Sequence, residues 1–153
     1  MDYINYIGFY GPVILILINI FALLNYPKQL YLYLPFLFMN DIIINPALKL
    51  LTKEPRPNGY ENSIGLDKNI YTNAHIYGMP SGHAQSSFFS IVYLWLVTGS
   101  IEYFLGGFFI ASITVYQRWR DKRHTIKQLI IGSIVGSLFA YGSYSMLSKK
   151  ILQ

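Results

Sequence analysis

Three short polar stretches stand in order in an otherwise apolar chain: Lys49-x6-Arg56-Pro57, Pro80-Ser81-Gly82-His83 and Arg118-x5-His124. They supply three cations, a Ser-Gly turn and two imidazoles. Arginine offers a planar donor fork and lysine a compact charge, and both suit the non-bridging oxygens of a transferring phosphoryl group. A neutral imidazole can attack phosphorus through one nitrogen when the N–H of the other is held. A second imidazole can protonate the oxygen that leaves. The chemistry within reach of these parts is the gripping, attack and release of a phosphate.

Each part also has a plainer use. Gln128 lies four residues beyond His124, on one face if both are helical, and its amide oxygen could accept the imidazole N–H. Taken alone, His124 fits better as an interfacial residue in a basic loop facing lipid headgroups. Ser81 and Gly82 precede an apolar run that predicts a helix. Its free N–H groups suit a phosphate, Gly82 lets the backbone approach closely, and His83 stands where it could act as the acid. Alternatively, Ser81 merely caps that helix. Lys49 and Arg56 could equally snorkel from a span end, the role assigned to Lys53, Lys68, Lys149 and Lys150. His75 reads as a solvated loop residue. Asn40, Asp41 and Asn45 either orient Lys49 or Arg56, or make a polar contact between helices.

The elements that must position these groups are membrane spans. The chain is 53% hydrophobic and 12% charged, with 14 Tyr and 10 Phe, against about a quarter charged in ordinary soluble domains. Cysteine is absent, which excludes disulfides and thiolate metal sites. Residues 3–27 carry no charge, enough to cross a hydrocarbon core. They are not read as a cleaved signal peptide, because a basic n-region and a small-residue cleavage site are missing. Further spans are expected near 29–51, 82–97, 101–117 and 128–147. Pro35 and Pro46 should bend the second, and residues 58–79 form a long loop. Gly132-x3-Gly136-x3-Ala140 in the last span reads as a helix-packing stripe. Five spans put all three polar stretches on one membrane face. The expected fold class is all-α: a polytopic transmembrane helix bundle of about five spans, with residues 1–153 as a single integral-membrane domain.

The ordered trio resembles the signature of the type 2 phosphatidic acid phosphatase (PAP2) superfamily: Lys-x6-Arg-Pro, Pro-Ser-Gly-His, then Ser-Arg-x5-His-x3-Asp. The first two parts match fully; the third reads Gln117-Arg118-x5-His124-x3-Gln128. The resemblance covers about residues 40–140. It implies a metal-independent phosphatase in which His124 is the nucleophile that becomes phosphohistidine. It also implies that His83 protonates the leaving group and then activates water, and that Lys49, Arg56, Ser81, Gly82 and Arg118 cradle the phosphate. Gln117 stands where the family has the Ser that helps bind phosphate, and Gln128 where it has the Asp that steadies the nucleophile. An amide can orient the ring but brings no charge to an imidazolium. Gln128→Asp is therefore expected to raise activity if that charge limits the rate, and to lower it if the site is tuned to a neutral partner. The family usually shows six spans, where five are counted here.

Within the superfamily the chain is similar to the dolichyl diphosphatases, on His124-Thr125-x-x-Gln128, Asn40-Asp41-x3-Asn45, Glu54-Pro55-Arg56-Pro57 and Tyr77-Gly78-Met79-Pro80-Ser81, with Gln85 after the histidine. That branch implies removal of one phosphate from a polyprenyl diphosphate. The expected partners are a phosphorylated lipid substrate (polyprenyl diphosphate or phosphatidate) and membrane lipids, with no nucleic acid, no cofactor and no metal. The alternatives are a broad phosphatidate phosphatase and a catalytically silent lipid-binding protein of the same fold. A vanadium haloperoxidase is disfavoured in so small and apolar a chain. The expected location is a multi-pass position in a membrane, of endoplasmic-reticulum type for a eukaryote or its virus. Twelve Lys and Arg are present, and all but Lys28, Lys149 and Lys150 fall on the motif face. The positive-inside rule would place that face in the cytoplasm, whereas the resemblance implies a lumenal or external site.

Overall fold

The computed structural model describes residues 3–59 and 76–151, with side chains through Met146. His75 and Lys68 lie outside the described residues, as do the side chains of Lys149 and Lys150. The described chain forms five helical rods. These are α1 (Tyr3–Leu23), a composite rod of α2 (Pro27–Phe38), a π-helical segment (Met39–Ile44) and α3 (Asn45–Thr52), then α4 (Gly82–Thr98), α5 (Ile101–Arg120) and α6 (Ile126–Ile151). The turns follow the local chemistry. Pro27 opens α2 after Tyr26. Gly99 takes the left-handed conformation that ends α4 (φ 67°), and Ser100 caps α5 by accepting from the Tyr103 N–H.

By length and apolarity three rods can cross a membrane: Tyr3–Leu23, Pro27–Thr52 and Ile126–Met146. All five expected spans are present as rods, three of them long and apolar enough to cross by themselves among the described residues. At 17 residues α4 is short for the hydrocarbon core, and α5 carries Glu102, Arg118 and Arg120 at its ends. Between Pro35 and Pro46, where the prolines predict a bend, the helix widens into the π segment.

The bundle buries polar groups beside an apolar core and turns large apolar side chains outward. Phe21, Phe109, Leu138 and Tyr141 face outward, whereas α4 buries Gln85, Ser86, Ser87 and Ser90. The central helix is α4, touching α1, α5, α6 and the second rod. Its close approach to α6 is made by the small-residue stripe. A methyl group on Gly132 would lie 2.6 Å from the Ser81 carbonyl oxygen, and one on Gly136 2.1 Å from that of Gln85. Ala140 is buried in the core with Tyr33, Phe89 and Tyr93. The Tyr33 hydroxyl bonds the Ser90 hydroxyl at 2.8 Å.

Candidate active site

One end of the bundle collects the three polar stretches. Lys49 lies near the C-terminus of α3 and is buried. Lys53 ends that helix in the left-handed conformation (φ 48°), and the chain then turns through Glu54-Pro55-Arg56. Here a short antiparallel bridge joins Pro55 to Tyr77, with the Gly78 N–H donating to the Glu54 carbonyl at 2.8 Å. The Thr52 hydroxyl donates to the Met79 carbonyl at 2.8 Å. The segment before α4 is thereby sewn onto the exit of α3. On its other side the Ser81 N–H donates to the Gln128 carbonyl at 3.1 Å.

His124 stands in the basic turn between α5 and α6, two residues before the first helical residue, so it does not share a helix face with Gln128. The first residues of α6 instead form a capping box. The Gln128 N–H donates to Thr125 Oγ1 at 3.2 Å, and the Thr125 N–H donates to Gln128 Oε1 at 3.2 Å. This folds the Gln128 side chain back over the helix start, towards His124. The Thr-x-x-Gln pattern was a readable signal for that cap.

His124 Nδ1 donates to the Gly78 carbonyl at 2.9 Å and more distantly to Gln128 Oε1 at 3.3 Å. A carbonyl oxygen only accepts, so the proton sits on Nδ1 and Nε2 carries the lone pair. Arg56 Nη1 donates to that Nε2 at 3.4 Å and to the Arg123 carbonyl at 3.1 Å. Gln128 thus assists as expected, but the main anchor is a backbone group that the sequence did not reveal. Burial holds His124 well below the usual imidazole range, and the charges of Arg56, Lys49 and Arg118 add to this; only the Gln128 hydrogen bond works the other way. The ring is a neutral base at ordinary pH, with three cations around it.

His83, the second residue of α4, pairs through Nε2 with the Arg118 guanidinium. Phe9 of α1 covers this pair. Its ring centroid lies 5.9 Å from that of His83, and the Arg118 guanidinium carbon is 5.1 Å from it. Nothing in the spacing of Phe9 marked it. Ser81 is the N-cap of α4, its hydroxyl accepting from the Ala84 N–H at 3.5 Å, and Gly82 passes close to Asn45. Arg123 is a buried arginine of the same turn that sequence reasoning left unassigned. Gln117, where the family has Ser, is buried against Gly8 of α1, and its Oε1 has no hydrogen-bond partner among the described residues.

Asn40, Asp41 and Asn45 make the contact between helices that was one of their two expected roles. Asn45 Nδ2 donates to Gln85 Oε1 at 2.8 Å and to the Pro80 carbonyl at 3.3 Å. Gln85 Nε2 donates to Asn40 Oδ1 at 2.9 Å, and the Ser86 hydroxyl donates to Asp41 at 2.9 Å. They therefore position Lys49 through the helix that carries it, by locking the π segment and α3 onto α4.

The arrangement can hold a tetrahedral anion among Lys49, Arg56 and Arg118, with a lone pair on one imidazole and a second imidazole near Arg118. Two proteins of Arabidopsis thaliana are similar in sequence. Lipid phosphate phosphatase epsilon 1, chloroplastic, is 44% identical over 77 residues, covering 45% of this chain and 28% of that protein. Lipid phosphate phosphatase epsilon 2, chloroplastic, is 32% identical over 123 residues, covering 75% of this chain and 39% of that protein. The chain thus spans well under half the length of either relative. No solved structure matches it significantly. The sequence pattern of the PAP2 superfamily matches residues 30–152, a stretch that holds every polar group assembled here but not the covering Phe9, and the chain belongs to that superfamily.

Proposed function

We propose that this protein is a membrane lipid phosphatase that removes the terminal phosphate of a polyprenyl, dolichyl-type diphosphate through a phosphohistidine. The observation that carries the proposal is the state of His124: Nδ1–H fixed on the Gly78 carbonyl, Nε2 unprotonated with Arg56 as a long hydrogen-bond donor to it, and Lys49 and Arg118 nearby. The Nε2 lone pair forms an N–P bond as the bond from phosphorus to the bridging oxygen breaks. The cations, with Ser81 and Gly82 at the start of α4, hold the non-bridging oxygens as charge builds there. Arg118 turns from His83 to the phosphate; His83 Nε2, freed of that cation and now beside the anionic substrate, takes up a proton from the medium and gives it to the leaving lipid monophosphate. His83 then takes a proton from the water that attacks phosphorus, which releases inorganic phosphate and restores His124. Residues 1–153 act as one integral-membrane unit, and an endoplasmic-reticulum-type membrane is the proposed location for a eukaryotic source.

The lipid character of the substrate has separate support. A groove of about 540 Å³ runs between α5 and α6, lined by Phe88, Phe108, Tyr116, Trp119, Ile126 and Ile134 among others. Two of its lining residues, Trp119 and Ile126, are next in sequence to Arg118 and Thr125. An apolar cleft of this size suits a hydrocarbon chain. The names of the two relatives favour a second reading, a broader lipid phosphate phosphatase, for which phosphatidate is the substrate to compare. Phosphate release in detergent with chelator present decides between them, using a polyprenyl diphosphate and phosphatidic acid with wild type and His124→Ala. Release from the diphosphate alone, lost in the variant, is expected. Comparable release from both lipids would establish the broader enzyme. No release from either would leave a silent lipid-binding protein.

A further inference from the structure

Gln128 has four partners, and they fix which end of its amide is which. Oε1 faces the Thr125 N–H and His124 Nδ1–H, two donors. Nε2 faces Glu54 Oε1 at 3.0 Å and the Pro55 carbonyl at 2.9 Å, two acceptors. The flipped amide would set a donor against donors and an oxygen against oxygens. A continuous path therefore runs from the Glu54 carboxylate through the Gln128 amide to the nucleophile's N–H. The other Glu54 oxygen accepts from Lys127 Nζ at 2.9 Å, and that lysine is largely exposed.

We propose that Glu54 is a positioning residue for phosphoryl transfer, supplying through the Gln128 amide the negative charge that the His124 imidazolium needs. The inference rests on the reading of His124 as the nucleophile. When Nε2 bonds to phosphorus, Nδ1 keeps its proton and the ring becomes a cation among Arg56, Lys49 and Arg118. A neutral amide alone does little for that cation. An amide whose N–H donates to a carboxylate is polarised, its oxygen becomes a stronger acceptor, and hydrogen bonds in such a chain reinforce one another. The carboxylate that the family places at position 128 is here set back by one side chain, on the strand-like segment that also carries Arg56. This accounts for Glu54 preceding Pro55-Arg56-Pro57 and for Gln replacing Asp. It also chooses between the two outcomes left open for Gln128→Asp: an acid at 128 would face Glu54 and the Pro55 carbonyl, so activity in that variant should fall.

The test uses the full chain in detergent with histidine-15N labelling, His124→Ala assigning the resonance. Kinetics of phosphate release from a polyprenyl diphosphate and NMR titration of His124 are measured in wild type, Glu54→Gln, Lys127→Gln and the exchange variant Glu54→Gln/Gln128→Glu. Glu54→Gln is expected to lower kcat about tenfold with little change in KM, the scale of one hydrogen bond to a charged group, and to move the His124 titration to lower pH. The exchange variant, which returns a carboxylate to position 128, is expected to recover most of both. Lys127→Gln removes the tether but not the charge and should stay within about twofold, as for an exposed ion pair. Unchanged kcat and unchanged titration in Glu54→Gln overturn the proposal. A loss of kcat with an unmoved titration, or one that Lys127→Gln reproduces, marks a structural role and overturns it too. If wild type releases no phosphate the functional reading fails by itself, and the titration still decides whether Glu54 acts on His124.

Discussion

Replacing Gly78 by Ala should disable the site without unfolding the protein. The added methyl would lie 2.4 Å from Gln128 Oε1, 2.6 Å from Nε2 and 2.7 Å from Cδ. Ordinary contacts of this kind are about 3.5 Å, so the amide must retreat by roughly 1 Å or the Gly78 backbone must move by as much. Glutamine is flexible in principle. Here it is fully buried and held by Thr125, His124, Glu54 and Pro55 at 2.9–3.3 Å, and a 1 Å shift breaks most of those bonds. Moving Gly78 instead takes away the carbonyl that holds His124 Nδ1. Overpacking of this kind costs about 1–3 kcal/mol of stability, and a misplacement of about 1 Å at the reacting group costs on the order of 100-fold in rate. The assay is phosphate release at saturating lipid diphosphate beside a thermal melt in detergent. Gly106→Ala serves as control, since a methyl there meets nothing within 4 Å. A Gly78→Ala protein with wild-type turnover would refute the assignment of Gly78 and Gln128 as the cradle of the nucleophile.

Three further outcomes are expected. Because His124 titrates well below the ordinary value of 6.5 in the folded protein, the unfolded chain takes up its proton first. Its contribution to stability is full above about pH 6.5 and declines as pH falls below it, so melts between about pH 5 and 8 should show a slope that His124→Gln flattens. Gln85→Leu strands the Asn40 and Asn45 groups that it now satisfies, at about 1–3 kcal/mol for each buried group left unpaired. It should lower both melting temperature and turnover, and an unchanged melt would count against the network as the anchor of Lys49. Gly136→Ala drives a methyl into the Gln85 backbone, which cannot swing aside, and should destabilise the α4–α6 contact by about 1–3 kcal/mol. Gly142→Ala, on an open face of the same helix, should leave the melt unchanged.

The sequence disclosed the groups that act through charge and type, and hid those that act through close approach. Lys49, Arg56, His83, Arg118 and His124 announce themselves as rare polar residues among apolar ones, and the parity of the rods brings them to one end. Gly132 and Gly136 were legible as packing residues because small residues recur at helical spacing. Gly78 was not, since its importance lies in a side chain fifty residues away that folds back over a helix start. Glu54 read as part of a motif without a role, because its partner is reached across a tertiary contact. The π segment was concealed behind two prolines that predict a bend without saying how the backbone accommodates it. Asn40, Asp41 and Asn45 left two meanings open, and only their neighbours on α4 chose between them.

The hydrogen bond from His124 to a main-chain carbonyl has a consequence for how such a site can change over time. No single substitution can delete a peptide oxygen, so the choice of tautomer is insulated from mutation at the neighbouring side chains. Position 128 is then free to exchange charge for shape, and the charge can migrate to another residue in small steps. A saturation library at Gln128 should therefore give a graded series of rates, with Asn and Ser retaining measurable turnover, and not the all-or-none loss expected of His124, the proposed nucleophile.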